Sequence, residues 1–369
     1  MVVVRVVLKV PLSPPPTTTM APAAWTGPRL RMLGLCYLSY FASIFHRTSI
    51  SIVLPPLQAD PTVALSHATI SLLLSSSSAV YCVGKLISGA LCDRIGPRTT
   101  LVSSLAACSG SYVLASITTK ARMWPLFVSV WVSYFWTTAC WPAMGKCAQA
   151  WFEGELFGSA WAVLTTASRF AAVAGSLVLG TMLGRVSWRV VLRFVAVFAA
   201  AVAGVLALWL RDRPTPEAVG SGAKAAPKEE GGKEKVESAV PPLVVCAHAL
   251  RDRRFLLCMA HQCCILPLID AFGALVPMFF TESIGLSAAA AGRAAAVFPA
   301  GAVLSCLAGG KILHWLRPHS RVPFVTGLMA AAVAAFGLLS AMRRPSVGRA
   351  CAALFVAMVG VALSFYHGP

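Results

Sequence analysis

The chain has 369 residues, of which 57% are hydrophobic and only 12% are charged. An ordinary soluble domain is about 25% charged, so this composition excludes a soluble enzyme, a disordered protein and a small disulfide-stabilised scaffold, and it predicts several membrane-spanning helices of about 20 residues each. The formal net charge of +18 predicts basic loops on the cytoplasmic side of a membrane, where they face anionic lipid headgroups.

The first 30 residues are basic, rich in Pro and Thr and without acidic residues, a composition typical of a disordered tail and also of an organellar presequence. Six apolar segments follow, each long enough to cross a membrane as one helix. They cover residues 32–54, 67–89, 100–117, 124–150, 157–183 and 190–210. Residues 31–210 are therefore predicted to form a bundle of six helices. In the fifth segment, Gly175, Gly180 and Gly184 recur at a spacing that permits close helix contacts.

A polar segment, residues 211–254, interrupts the apolar pattern. It contains the runs RDRPTP, SGAKAAPKEEGGKEKVES and RDRR and is too poor in apolar residues to bury a core, so we predict a linker. Four further apolar segments cover residues 255–280, 288–316, 322–342 and 347–366, which brings the total to ten. Basic residues are more numerous in the tail, in the loop after the second segment and in the linker than in the loops of the other side. This bias predicts a cytoplasmic N-terminus and a cytoplasmic linker.

Six helices, a long charged linker and then more helices are the layout of a transporter built from two helical halves. The predicted fold class is an all-α, multi-pass membrane protein with two helical bundles, the second of which, residues 255–369, has four helices. The 12 cysteines lie mostly inside apolar segments, where a thiol behaves as a small hydrophobic side chain, so we expect no metal and no other cofactor. The sequence contains neither a P-loop nor an H-E-x-x-H motif, and we predict neither an enzyme nor a nucleic-acid-binding protein.

The second apolar segment ends in a motif of the form G-x-x-x-D-R-x-G-x-R, built from Gly89, Asp93, Arg94, Gly96 and Arg98. We expect Gly89 to allow a neighbouring helix to approach closely, Asp93 to lie against the positive N-terminus of a helix, and both arginines to hold the turn on the cytoplasmic side. The motif resembles the loop signature of the major facilitator superfamily, in which this loop acts as a gate latch. The alternative is a plain polar turn between two helices.

Ionisable residues inside the apolar segments are candidates for contact with a solute, because burying a charge in lipid is costly. Arg47 lies in the first segment, Arg169 in the fifth and Asp270 in the seventh. For Arg47 the alternative is a side chain that snorkels to the membrane surface. His46, next to Arg47, is a further candidate, although a histidine in a span is more often a packing residue. Trp141, in the fourth segment, is a candidate for lining a cavity.

This part of the chain resembles the organophosphate:phosphate antiporters of the superfamily, such as the glycerol-3-phosphate transporters. In that family too, an arginine of the first span lies eight residues before a proline, as Arg47 does before Pro55, and it binds the phosphate group. Residues 141–146 resemble the W-P-P-x-G-R segment of the family's fourth span, and residues 211–214 resemble its R-D-x-P exit from the sixth span. The resemblance covers about residues 30–215, and it implies a phosphate-binding role for Arg47.

The second phosphate-binding arginine of that family has no counterpart, because eight residues before Pro277 the chain has Ile269, followed by Asp270. One hypothesis is that Arg47 and Arg169 form an anion site while Asp270 carries a coupling proton. A second is that Asp270 pairs with an arginine across the two halves as a structural or gating ion pair. A third places Asp270 at the membrane interface.

The predicted function is secondary active transport of a small, anionic organic solute, an organophosphate or a carboxylate, by alternating access between the two halves. The expected partners are the lipid bilayer, the solute, and protons or inorganic phosphate as the coupling ion. The alternative is a transporter-like receptor or sensor without transport activity, or a truncated, non-functional fragment. The family has twelve spans and we count ten here, so the last two helices of the second half are expected to be missing.

Overall fold

The computed structural model describes residues 25–214, 250–342 and 345–367. Within these ranges the chain is helical, and its helices are α1 (Gly27–Ala59), α2 (His67–Ile95), α3 (Pro97–Ala115), α4 (Trp124–Trp151), α5 (Glu155–Leu183) and α6 (Trp188–Trp209). After the linker come α7 (Arg253–Pro267), a π-helical turn (Leu268–Phe272), α8 (Gly273–Glu282), α9 (Ala288–Ala294), α10 (Val297–Trp315), α11 (Pro318–Ala341) and α12 (Val347–His367). The predicted N-terminal tail up to residue 24, and residues 215–249 of the predicted linker, lie outside the described residues.

In the described ranges these helices form ten rods, because α7, the π-helical turn and α8 are continuous and α9 leads directly into α10. Each rod coincides with one predicted apolar segment, so the all-α fold class is confirmed. Six of the rods are long and apolar enough to cross a membrane on their own, namely α2, α5, α6, α9 with α10, α11 and α12. The remaining rods are less apolar because part of their surface packs against other helices instead of lipid. Helix α1, for example, buries Ser39, Ser43 and His46 inside the fold.

The rods pack in two groups, which we call the first bundle (α1–α6) and the second bundle (α7–α12). In the first bundle α3 lies against α4 and α6, α2 against α4, and α1 against α4, α5 and α6, whereas in the second α12 packs on α10 and α11. The bundles meet where α1 contacts α8 and where α5 contacts α9 and α10. One apolar core of buried side chains continues from the first bundle into the second, so the halves share a hydrophobic interface.

We call the end of the fold where α6 stops and α7 starts the linker side, and the other end the opposite side. On the opposite side the backbones of α5 and α9 touch at two glycines. A Cβ atom on Gly180 would lie 2.6 Å from the backbone nitrogen of Arg293, and one on Gly292 would lie 2.8 Å from the Cα of Gly180. Only residues without a side chain fit such a crossing, so the close contact predicted for the α5 glycines is confirmed at Gly180, and the two bundles are closed against each other at this end.

A hydrogen-bonded carboxylate fastens the loops of the first bundle on the opposite side. Asp60, directly after α1, accepts hydrogen bonds from the backbone N–H and hydroxyl of Thr62, from the indole N–H of Trp188 at 2.7 Å and from the guanidinium of Arg189 at 2.9 Å. These bonds, the one from the Thr62 hydroxyl above all, hold the pKa of Asp60 well below its usual range. The end of α1 is thereby tied to the start of α6.

Candidate functional site

A cavity of about 380 Å³ lies between the two bundles. Its walls are formed by α1, α2, α4 and α5 of the first bundle and by the π-helical turn, α8, α10 and α12 of the second, together with Ala295 between α9 and α10. Pockets of a few hundred cubic ångströms that lie between helical bundles are typical sites for small molecules. The cavity is therefore the candidate site for a solute.

Arg47 projects from α1 into this cavity and is held there by an acid and two aromatic rings. Its guanidinium lies 3.0 Å from a carboxylate oxygen of Asp270. The central carbon of this guanidinium, Cζ, lies 5.0 Å from the ring centre of Tyr81 and 5.2 Å from that of Tyr134. Both distances are within the range of cation–π attraction. Arg47 therefore does not snorkel to the membrane surface. It stands fixed at the boundary between the bundles.

The π-helical turn places Asp270, its central residue, at the cavity wall. A π-helical turn contains one more residue per turn than an α-helix, and such turns interrupt α-helices frequently at functional sites. The side chain of Asp270 is 37% exposed and that of Arg47 is 19% exposed, so both charges can be reached from the cavity. Of the arrangements considered for Asp270, the structure contains the ion pair across the two bundles.

Lys85 of α2 is a cavity residue that sequence reasoning missed. Its ammonium nitrogen lies 5.1 Å from the ring centre of Tyr81, so this ring contacts two cations, Lys85 and Arg47. The sequence contained an indication of this position. Lys85 precedes Asp93 of the loop motif by eight residues, which is about 12 Å along a helix and places Lys85 inside the span. Arg169 of α5 also lines the cavity, and its contact with a solute stays a prediction.

The two walls of the cavity differ in chemistry. The wall from the first bundle carries three cationic side chains and several hydroxyl groups, among them those of Thr48, Ser51, Thr137, Thr138, Thr165 and Ser168. Among the described lining residues of the second bundle, Asp270 is the one polar side chain. Its neighbours there are Ile269, Gly273, Ala274, Pro277, Ala295, Phe298, Pro299, Met358 and Phe365.

Trp141 of α4 lines the cavity together with Tyr40 of α1. The two ring centres are 5.3 Å apart, and the ring centre of Trp161 on α5 lies 4.8 Å from that of Trp141. Three helices of the first bundle thus contribute to one aromatic cluster, of which Tyr40 and Trp141 reach the cavity. Contact between Trp141 and a solute stays a prediction, since the structure establishes only its place in the wall.

His46 lies outside the cavity wall, although it follows directly before Arg47 in α1. Its ring is fully buried, with Nε2 2.9 Å from the carbonyl oxygen of Cys108 and Nδ1 3.1 Å from the hydroxyl of Ser133. The ring also stacks on that of Tyr112. Successive residues of a helix point about 100° apart, so Arg47 faces the second bundle while His46 faces α3 and α4. The structure therefore corrects the suggestion that His46 contacts the solute and makes it a packing residue.

The loop motif between α2 and α3 differs in detail from our expectation. Asp93 forms an ion pair with Lys146 of α4. The acid at a helix N-terminus is instead Asp212, whose carboxylate accepts a hydrogen bond of 2.7 Å from the backbone N–H of Arg98 in the first turn of α3. The Arg98 guanidinium reaches the carbonyl oxygen of Ala207 in α6. The motif thus ties α2, α3, α4 and the end of α6 together on the linker side.

The glycines of the motif have different roles. Gly96 has φ +82°, a backbone conformation that favours glycine, and it forms the turn between α2 and α3. A Cβ atom on Gly89 would have no neighbour within 4 Å, so the expected close helix contact is wrong there. The close contact of α2 lies at Gly84, where a Cβ would be 2.9 Å from the hydroxyl of Thr138. Arg94 is exposed at the end of α2.

Comparison with known proteins identifies the family. The family profile described as Major Facilitator Superfamily matches residues 36–369. The chain belongs to this superfamily. The "Probable hexose phosphate transport protein" of Chlamydia muridarum is 23% identical over 193 residues, covering 52% of this chain and 41% of the relative. The "Glycerol-3-phosphate transporter" of Bacillus subtilis is 24% identical over 202 residues, covering 52% of this chain and 43% of the relative. The match thus spans less than half the length of each of these relatives.

The fold of this superfamily member also has solved counterparts. A bacterial homologue of the human lysosomal transporter Spinster, in an inward-facing and unoccupied conformation, superposes with a TM-score of 0.68. The two chains are 18% identical, and the alignment covers 92% of this chain and 74% of the other. At this identity the likeness concerns the fold alone.

Proposed function

We propose that this superfamily member is a secondary active transporter of a small organic anion, which binds between the two bundles. The observation that carries the proposal is the charge of the cavity: among its described lining residues, Arg47, Lys85 and Arg169 are cationic and Asp270 is the one acid. An excess of cations inside a membrane domain is costly unless anions neutralise it. The matched relatives named for hexose phosphate and glycerol-3-phosphate support an anionic solute.

The cations are suited to a phosphate or carboxylate group. The planar guanidinium of Arg47 can donate two parallel hydrogen bonds to such an anion, and its two tyrosine neighbours fix its position before the anion arrives. Lys85 adds a compact positive charge close to the same Tyr81 ring. Hydroxyl groups of the same wall supply donors for the remaining oxygens.

The Arg47–Asp270 pair links anion binding to the contact between the bundles. Arg47 belongs to the first bundle and Asp270 to the second, and the pair joins them across the cavity. An anion that binds the Arg47 guanidinium competes with the Asp270 carboxylate for the same donors. Binding therefore exchanges a contact between the bundles for a contact with the solute, which is how a ligand shifts the balance between two conformations.

A binding measurement on single variants tests this function. Purified protein is screened by thermal stabilisation against phosphate esters, carboxylates, sugars and inorganic phosphate, and hits are tested for uptake by reconstituted vesicles. Arg47→Ala and Lys85→Ala are expected to weaken binding of the anionic hit by about 10-fold to 100-fold, because each removes a charge-assisted contact. Lys120→Ala is the matched control, because Lys120 is an exposed loop residue. Its hydrogen bond to Thr62 comes from the backbone N–H, which the substitution keeps.

Two results would contradict the proposal. One is that no anion of the panel stabilises the protein. The other is that the Arg47 and Lys85 variants bind the hit as tightly as the Lys120 variant does. Binding without uptake would favour the alternative of a transporter-like receptor or sensor.

A further inference from the structure

The described lining residues give the cavity one cationic wall and one apolar wall that carries a single acid. Arg47, Lys85 and Arg169 lie on the wall of the first bundle, and Asp270 lies opposite, on the wall of the second. Around Asp270 the second wall is apolar, with Ile269 and Ala274 next to it in the lining. A ligand that fills the space between the walls therefore meets positive charge on one side and, on the other, apolar surface interrupted by one negative charge.

Displacement of Asp270 by a simple anion leaves an unfavourable state. Arg47 lies within ion-pair distance of Asp270, at 3.0 Å, and an anion that binds Arg47 removes this partner. The carboxylate then remains in an apolar wall without its ion-pair partner, and a charge in such surroundings is costly when its partner is removed. A ligand that brings its own cation to Asp270 avoids this cost, because it replaces one ion pair of the protein with two ion pairs to the ligand.

We propose that the preferred ligand is a zwitterion: an organic phosphate or carboxylate that carries an ammonium group on a short aliphatic chain. Its anionic group binds Arg47 and Lys85, its ammonium group binds Asp270, and the aliphatic chain packs on the apolar wall of the second bundle. This inference rests on the proposed function, because it names the class of anion that the same cavity takes. The side-chain exposures of 37% for Asp270 and 19% for Arg47 agree with it, since both ends of the pair are accessible from the cavity.

The position of Asp270 within a π-helical turn is a second observation in favour of a ligand-binding role. A π-helical turn interrupts the regular hydrogen bonding of an α-helix, and such turns are rare and are found frequently at functional sites. Here the turn spans Leu268–Phe272, with Asp270 at its centre, and it directs the carboxylate at the guanidinium of the other bundle. The turn therefore holds one negative charge at the middle of an otherwise apolar wall.

Pairs of ligands that differ by the ammonium group test the inference. Binding to the purified full-length protein is measured by calorimetry for O-phosphoethanolamine against ethyl phosphate, and for 4-aminobutyrate against butyrate. We expect the ammonium-bearing member of at least one pair to bind about tenfold or more tightly than its partner, the effect of one added charge-assisted contact. In Asp270→Asn this preference is expected to disappear while ethyl phosphate still binds. Asp270→Glu, which keeps the carboxylate, is expected to retain the preference.

The matched control is Glu282→Gln, which removes the carboxylate at the end of α8 on the opposite side, near His67, and is expected to leave the preference unchanged. The inference is overturned if ethyl phosphate and butyrate bind the wild-type protein as tightly as their ammonium-bearing partners. It is also overturned if Asp270→Asn keeps the preference. The proposed function survives both results, because anions still bind. If no compound of either pair binds, the inference fails together with the anion site.

Discussion

The glycine crossing between α5 and α9 gives a sharp prediction about the contact between the bundles. In Gly180→Ala the added Cβ would lie 2.6 Å from the backbone nitrogen of Arg293 and 2.7 Å from the backbone carbonyl carbon of Gly292. Carbon atoms in favourable contact are about 3.5–4.0 Å apart, so the overlap approaches 1 Å. The neighbouring atoms are backbone and cannot rotate away, so α5 and α9 must separate.

The size of the effect follows from the cost of overpacking. One extra methyl group in a closely packed site costs about 1–3 kcal/mol. The cost applies only while the bundles are closed on the opposite side, so it shifts the balance toward a state open at this end by about 5-fold to 150-fold. Alanine is also the better helix former, but this gain is the same in both states and cancels. Gly180→Leu is expected to shift the balance further.

Distances between spin labels on the opposite side measure this balance. Labels at Ala121→Cys, in the loop before α4, and Ser283→Cys, after α8, report the separation of the bundles when the exposed native cysteines are replaced by serine. We expect the population at longer distances to increase in Gly180→Ala and not in Gly204→Ala, the control, where a Cβ has no neighbour within 4 Å. Identical distance distributions for the Gly180→Leu and Gly204→Ala proteins would refute the reasoning.

Two further predictions concern stability and are checked by thermal unfolding in detergent. Asp60→Asn is expected to lower the free energy of unfolding by about 1–3 kcal/mol at pH 7, because charge-assisted bonds from groups such as the Arg189 guanidinium are weakened. The pKa of Asp60 lies below its usual range, so the stabilisation by its carboxylate is complete above about pH 4 and is lost as the pH falls further. The difference in stability between Asp60→Asn and wild type should therefore shrink in acid. A difference that stays constant with pH would contradict this prediction. Asp212→Asn is expected to lower stability by about 0.5–1 kcal/mol, because the charge at the N-terminus of α3 is lost, whereas the neighbouring Arg213→Gln, which leaves that carboxylate in place, is expected to lower it less.

The helical rods could be predicted from the sequence because a membrane leaves the backbone few choices. A segment of about 20 apolar residues must satisfy its N–H and C=O groups internally, and a helix does so. Each predicted segment accordingly coincides with one rod in the described residues. The candidate cavity residues Arg47, Arg169 and Asp270 were predictable for a related reason: a charged side chain inside a span rarely faces lipid.

The tertiary structure alone decided which of these residues meet. The pairing of Arg47 with Asp270 depends on how α1 packs on the other bundle and on a π-helical turn that rotates one residue into place. The helical phase separates His46 from its neighbour, and the packing of α2 against α4 brings Lys85 to the cavity. Asp212 caps α3 because the exit from α6 ends beside it.

The sequence by itself determined that this protein is a helical membrane protein, because the length and polarity of each segment act locally. Its likeness to the major facilitator superfamily came from the loop motif after the second segment. The sequence also determined that ionisable residues stand inside the spans. Only the tertiary structure decided that, among the described lining residues, three cations share one wall and one acid lies opposite. The reason is physical: the charge of a cavity depends on the rotation and contact of helices that are distant in the chain, and these follow from packing rather than from local composition.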